Sequence, residues 1–234
     1  MLRAAMRANR SEPRLWDTDW LMLRPLARLL RQQAAAHVAP GAVMVDFGCG
    51  DMPYAKAMRD LGFDYRGADL GAGGELQIDA GGRVPLPDRC AGAVLSVQVL
   101  EHVRDLAGYC GEIRRLLRDD GTLLLSTHGT WLYHPHPEDH RRWTRTGLVL
   151  DLAAQGLMVE QCMAIAGPLA TTTVIRMTGF TYVLRKLPLI GALLAAGLAV
   201  VMNVRACLED AITPAQMRMD NAAIYLVRAR KAAP

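Results

Sequence analysis

Three features of the chain point to an α/β domain on a doubly wound, mostly parallel sheet. Short apolar segments alternate with segments of helical periodicity. A Gly-x-Gly turn follows the first apolar segment directly. The 234 residues are 51% hydrophobic and 21% charged, enough to bury the core of one such domain and carry one extra element.

In chain order, apolar residues recur at helical spacing from about Asp17 to His37, with Pro25 marking a kink or a late start. Ala42 to Phe47 reads as a strand buried on both faces. Gly48-Cys49-Gly50 turns the chain, and Pro53 opens a helix to about Leu61. Tyr65 to Leu70 is a second strand, Leu76 to Asp79 a weak third and Ala93 to Val97 a fourth. A helix follows from Leu106 to Leu117, and Asp120-Gly121 turns into a fifth strand, Thr122 to Thr127. Thr146 to Gln155 is helical, Leu157 to Ala166 a sixth strand and Ala222 to Ala229 a final one. The implied division is an arm and helix over 1–40, a core domain over 41–167 and 214–234, and an apolar helical insert over 168–213.

The net charge of +4 is too small to argue for nucleic acid. Five scattered cysteines without metal-ligand spacing fit reduced thiols in a cytoplasmic protein. The first sixteen residues are basic but have no apolar segment of the secretory kind.

The glycine turn carries the first chemistry. Gly48 and Gly50 let the backbone turn tightly and approach a ligand. A dinucleotide site would place a third glycine at the helix start, where Asp51, Met52, Pro53 and Tyr54 stand instead. Asp46, just before the turn, repels a pyrophosphate and suits a ligand with a cationic group.

The segment Val45-Asp46-Phe47-Gly48-Cys49-Gly50 resembles the first motif of class I S-adenosylmethionine-dependent methyltransferases, an acid followed by Gly-x-Gly. The resemblance runs from about Val43 to Gly156 and resumes in the final strand. It implies a Rossmann-like, seven-stranded sheet with an antiparallel last strand, and S-adenosylmethionine as cofactor. Asp69, 19 residues after Gly50, matches the acid that accepts both ribose hydroxyls. Asp79 matches the acid that reads the adenine amino group, and Gln98 in Ser96–His102 would lie near the methionine part. Asp69 and Asp79 could equally cap the turns that follow them. Where the family usually has an acid at the start of the fourth strand, this chain has Ala91-Gly92-Ala93, for which a small change in packing is expected.

Four of the six histidines fall between His128 and Thr144, after the fifth strand and at the sheet edge where doubly wound folds bind ligands. Two readings stand side by side. In one, His134 or His136 is a general base and Arg141 or Arg142 holds an anionic acceptor. In the other, Asp139, Arg142 and Trp143 form a scaffold that orders the loop. No metal site is expected, because the prolines hold the segment extended and spread His134 from His136.

Leu187 to Val204 carries no charge and is flanked by Arg185, Lys186 and Arg205. As a helix it would be roughly 27 Å long, short of a bilayer core, and one crossing would strand the final strand on the wrong side. Two readings of the insert remain: a hairpin in the membrane interface, with peripheral contact through 185–205, or a lid or homodimerisation hairpin buried against protein. The expected function is methyl transfer to a small-molecule or lipid-linked acceptor, at oxygen or nitrogen, in a cytoplasmic protein that associates with membranes if the first reading holds. The alternative is a non-catalytic cofactor-binding or membrane-docked partner protein with the same fold. A base-flipping nucleic-acid enzyme is disfavoured by the lack of an Asn- or Asp-Pro-Pro-aromatic motif after the fourth strand.

Overall fold

A computed structural model describes residues 10–135 and 138–232. The chain forms β1 (Val43–Phe47), β2 (Asp64–Asp69), β3 (Leu76–Gln77), β4 (Ala91–Val97), β5 (Leu117–His128), β6 (Leu157–Ile165) and β7 (Ile224–Lys231). The helices are α1 (Trp20–His37), α2 (Ala55–Asp60), α3 (Leu106–Leu116), α4 (Arg145–Ala154), α5 (Pro168–Leu184), α6 (Gly191–Ile212) and α7 (Ala215–Asp220). One seven-stranded sheet runs in the order β3-β2-β1-β4-β5-β7-β6. The β1–β2, β1–β4, β2–β3 and β4–β5 pairs are parallel, and β7 is antiparallel to both β5 and β6. The expected seven strands with a reversed last strand are therefore present.

Alternation along the strands splits the core between the two faces. Met44, Leu95, Leu124 and Leu226 pack with Leu26 and Leu30 of α1, Met58 of α2, Val174 of α5 and Ala199 of α6. Val45, Val94, Leu123 and Leu125 pack with Ile113 and Leu116 of α3 and Leu148 and Leu152 of α4.

Some boundaries differ from expectation for local reasons. Helix α1 starts at Trp20 and runs through Pro25, which removes one hydrogen bond in the second turn without ending the helix. Strand β5 begins at Leu117. Its register slips between the pairs Ala91–Leu117 and Ala93–Thr122, so the turn expected at Asp120-Gly121 is a bulge within a longer strand. At Gly92 an added Cβ would lie 2.8 Å from the Ala42 Cβ and 3.2 Å from the Arg118 guanidinium, which occupy the space of the absent acid. The final strand starts two residues late, because the Ala222 and Ala223 carbonyls accept from Thr130 and Gly129 N–H before ladder pairing begins.

Strand β6 runs in the same direction as β5, since both are antiparallel to β7. The insert, α5 and α6, thus leaves and rejoins the sheet at the carboxyl edge. There Ile224 pairs with His128 on one side and Ile165 on the other. Helix α6 buries a stripe of small residues, Gly191, Ala195, Ala199, Asn203 and Ala206, and turns Leu193, Val201, Val204 and Leu208 to the outside.

Candidate active site

The glycine turn is built as a cradle. Gly48 has φ +84°, and a Cβ there would lie 2.7 Å from Val99 Cγ2. Glycine is therefore required both by the left-handed backbone and by contact with the turn after β4. Gly73 packs beneath, where a Cβ would fall 2.1 Å from the Gly50 carbonyl oxygen.

Asp69 ends β2 and faces this turn. Its Oδ2 accepts the Gly50 N–H at 2.8 Å, and its Oδ1 accepts the Gly71 N–H at 2.7 Å. Each oxygen accepts one hydrogen bond here and has capacity for another, as a vicinal diol needs. The Gly50 N–H, which a pyrophosphate would need, is already given to a carboxylate. The turn therefore fits a ligand with a ribose and a cationic group, and does not fit a dinucleotide.

Asp46 is buried, at 2% exposure, and accepts a hydrogen bond from the Tyr65 hydroxyl on the neighbouring strand. Burial raises its carboxyl to about 7 against the opposing pull of the Tyr65 bond, and Asp69 raises it further. A cation beside it would restore the ionised form.

Gln98 has φ +58°, a conformation that non-glycine residues adopt only when their surroundings hold them. Ser126 does the holding, accepting from the Gln98 N–H through its carbonyl at 3.0 Å and its hydroxyl at 3.2 Å, and from Nε2 at 3.3 Å. Asp79 Oδ1 accepts the N–H groups of Gly81 and Arg83, both at 2.9 Å, so the turn-capping role is present. The second oxygen makes no hydrogen bond among the described residues and stays available to a ligand.

In the histidine loop the structure separates the residues. Arg142 grips Asp139 with two nitrogens and donates to the Leu132 carbonyl at 2.6 Å. Asp139 Oδ2 also accepts the His134 N–H at 2.8 Å, and the Arg142 guanidinium holds the Asp139 carboxyl well below the usual range. Trp143 is buried and donates from Nε1 to Asp151 at 2.9 Å. These contacts are those of a scaffold. Arg141 is turned to the main chain, donating to the carbonyls of Val103 and Arg104, which engages the guanidinium that was to hold an acceptor. His136 lies outside the described residues.

His134 is brought to residues of another segment. Its Nε2 lies 2.8 Å from His128 Nε2, and its ring centroid 5.2 Å from that of His102. Glu101, fully buried, approaches His128 Nε2 at 3.3 Å through Oε1 and accepts the Thr127 hydroxyl through Oε2. Burial lowers His128 to about 2 and lowers His134, so both rings are neutral near pH 7. The sequence alone assigns no role to Glu101, His102 or Tyr65. Glu101-His102 carried a signal, since the pair closes the segment at the carboxyl edge after the fourth strand. Tyr65 gave none.

Residues 20–164 match the family described as "Methyltransferase domain". The chain belongs to this family. Its fold is that of the class I enzymes, and the cofactor that goes with it is S-adenosylmethionine. A probable S-adenosylmethionine-dependent methyltransferase from Mycolicibacterium smegmatis is 29% identical over 150 residues, which cover 57% of this chain and 58% of that relative. Among solved structures, the [4+2]-cyclase SpnF aligns over 91% of this chain and 83% of its own, with TM-score 0.59 and 17% identity. Geranyl diphosphate C-methyltransferase from Streptomyces coelicolor A3(2) aligns over 90% and 78%, with TM-score 0.56 and 15% identity. Phosphoethanolamine N-methyltransferase 2 from Haemonchus contortus, in complex with S-adenosyl-L-methionine, aligns over 97% and 59%, with TM-score 0.56 and 14% identity. These likenesses concern the fold.

Proposed function

We propose that the protein transfers a methyl group from S-adenosylmethionine to oxygen or nitrogen of a small acceptor carried on, or presented by, a lipid surface. The cofactor supplies a methyl group already activated on a sulfonium. In this reading Asp69 holds the ribose, Asp46 favours the cationic end, and Asp79 reads the adenine amino group. The chain then has to align the acceptor, exclude water and take up a proton. His134, half-buried and neutral at pH 7, suits the last task. It stands at the carboxyl edge of the sheet, where β4 and β5 end.

The observation that carries the lipid part is the hairpin rooted at that same edge. Helix α6 is long and apolar enough to cross a membrane, and only 28% of its most apolar 18 residues are buried. Beyond it, Leu189 at the tip is fully exposed, and Phe180, Val183 and Ile190 are exposed around it. Arg185 and Lys186 sit at the tip, and the hairpin's acids, Glu209 and Asp210, lie at the far end in hydrogen bonds to Thr173 and Gly167. An apolar tip with a basic collar suits an anionic lipid interface. Asn203 favours lying on the membrane over crossing it. It is fully buried and donates to the carbonyls of Leu15 and Asp17 at 2.8 and 2.9 Å, which fastens α6 to the domain.

The test couples two readouts. Calorimetric titration with S-adenosylhomocysteine should give micromolar binding. Labelled S-adenosylmethionine should then transfer its methyl group to polyprenyl-linked sugars in anionic vesicles faster than to the same head groups in solution. A folded protein that does not bind S-adenosylhomocysteine would overturn the reading, and equal rates on both acceptors would remove its lipid part.

A further inference from the structure

The Glu101–His102–His134 cluster has the makings of a divalent-metal site. We infer that Glu101 Oε1 and imidazole nitrogens of His102 and His134 bind one borderline first-row ion of the zinc type beside the acceptor position.

Donor atoms of the three residues lie within 4.8 Å of one another. Glu101 Oε1 and His102 Nε2 are 3.9 Å apart. Ligands at about 2.0–2.2 Å around a tetrahedral ion stand about 3.4 Å from each other, so closure needs side-chain shifts of about an ångström or less. Glu101 Oε1 is an independent pointer to a ligand. It is buried and makes no hydrogen bond among the described residues, its nearest polar neighbour being His128 Nε2 at 3.3 Å, while its twin Oε2 is held by Thr127 at 2.9 Å. A buried carboxylate oxygen left without a partner is costly unless something fills the place.

Hydrogen bonds from surrounding groups fix the orientation of the donors, as they do for metal-bound imidazoles. His102 Nδ1 bonds the Glu138 carbonyl, which requires the proton on Nδ1 and leaves the Nε2 lone pair facing Glu101. The main chain of His134 is fixed by Asp139. His128 Nε2 stands 3.3 Å from Glu101 Oε1 and 2.8 Å from His134 Nε2, a fourth nitrogen at the same place. A mixed carboxylate and imidazole set suits zinc and its neighbours better than magnesium or calcium, which prefer oxygen. The site takes only His134 from the proline-flanked stretch. Its partners Glu101 and His102 come from the turn after β4, and His128 from the end of β5.

Under the methyltransferase reading, such an ion would occupy the His134 lone pair, so the ion-bound form would polarise an acceptor hydroxyl and ease loss of its proton to solvent in place of proton uptake by His134. Binding itself does not depend on that reading, and the two are measured separately. Metal-free, tag-free protein is dialysed against Zn2+, and its Co2+ form is examined for visible absorption. S-adenosylhomocysteine affinity and the thermal melt are recorded on the same samples. The expected result is one ion per chain. Affinity should fall about 100-fold or more in Glu101→Gln and His134→Gln, and remain in His140→Ala and Asp69→Ala. Wild-type protein that melts cooperatively but takes up no ion overturns the inference. So does unchanged zinc affinity in Glu101→Gln. His102→Gln provides a second variant should either fail to fold.

Discussion

Gly50 and Asp69, 19 residues apart in the chain, are joined by a 2.8 Å hydrogen bond from the Gly50 N–H to Asp69 Oδ2. The same carboxylate holds Gly71. Asp69→Ala should therefore loosen both turns as well as remove the proposed ribose acceptor. A hydrogen bond to a charged group contributes about 1.5–3 kcal/mol. S-adenosylhomocysteine affinity should accordingly fall roughly 10- to 100-fold by calorimetry, with Asp69→Asn intermediate.

Asp46 predicts a pH dependence. Its carboxyl titrates at about 7 in the fold and 3.8 in the unfolded chain, so between those values the unliganded fold holds an extra proton. Stability should fall as pH rises from about 4 to 7, by at most about 4 kcal/mol, and Asp46→Asn should flatten that limb in chemical denaturation. Ligand binding should go the other way. The ionised carboxylate favours the cationic ligand, so affinity should weaken by up to about tenfold per pH unit below 7 and level off above it.

Gly48→Ala meets two obstacles, a φ of +84° and Val99 at 2.7 Å. A loss of roughly 2–4 kcal/mol is expected in urea unfolding. Adding Val99→Ala should recover only the steric part, because the backbone strain remains.

Arg142→Ala would leave Asp139 with its side chain 1% exposed and its charge unpaired. Loss of one partner of such a pair costs about 3–5 kcal/mol at full burial, and less here because Arg142 itself is 25% exposed. Proteolysis should then cut first within 129–144, and a turnover defect should appear before any loss of S-adenosylhomocysteine binding.

At the hairpin, Leu189→Asp and Leu193→Asp should abolish sedimentation with anionic vesicles and leave S-adenosylhomocysteine binding unchanged. Both side chains are exposed, at 103% and 76%, so no core contact is lost.

The legible parts of this molecule were those with local signatures. The strand of Val43 to Phe47, the glycines after it and the acid ending β2 could be read because each needs a particular residue type within a few positions. The histidine loop was legible as composition only. His134 finds its partners at Glu101 and His102, more than thirty residues earlier, and nothing in the spacing of Pro135 and Pro137 shows that. The role of Arg141 was obscure for a similar reason, since a guanidinium that caps main-chain carbonyls has the same sequence as one that awaits an anion. Bulges such as that in β5 depend on register between strands, which a single chain does not display.

The place of β7 between β5 and β6 has a consequence for biogenesis. Among the described residues strand β6 pairs with no strand but β7, yet β7 is made only after the whole apolar hairpin. During synthesis the hairpin must leave the ribosome while the sheet it packs on lacks its penultimate member. For that interval its outward leucines and valines have no finished domain behind them. A nascent chain in this state is exposed to chaperones, and under the proposed lipid-surface reading its first contact with lipid comes before the domain is folded.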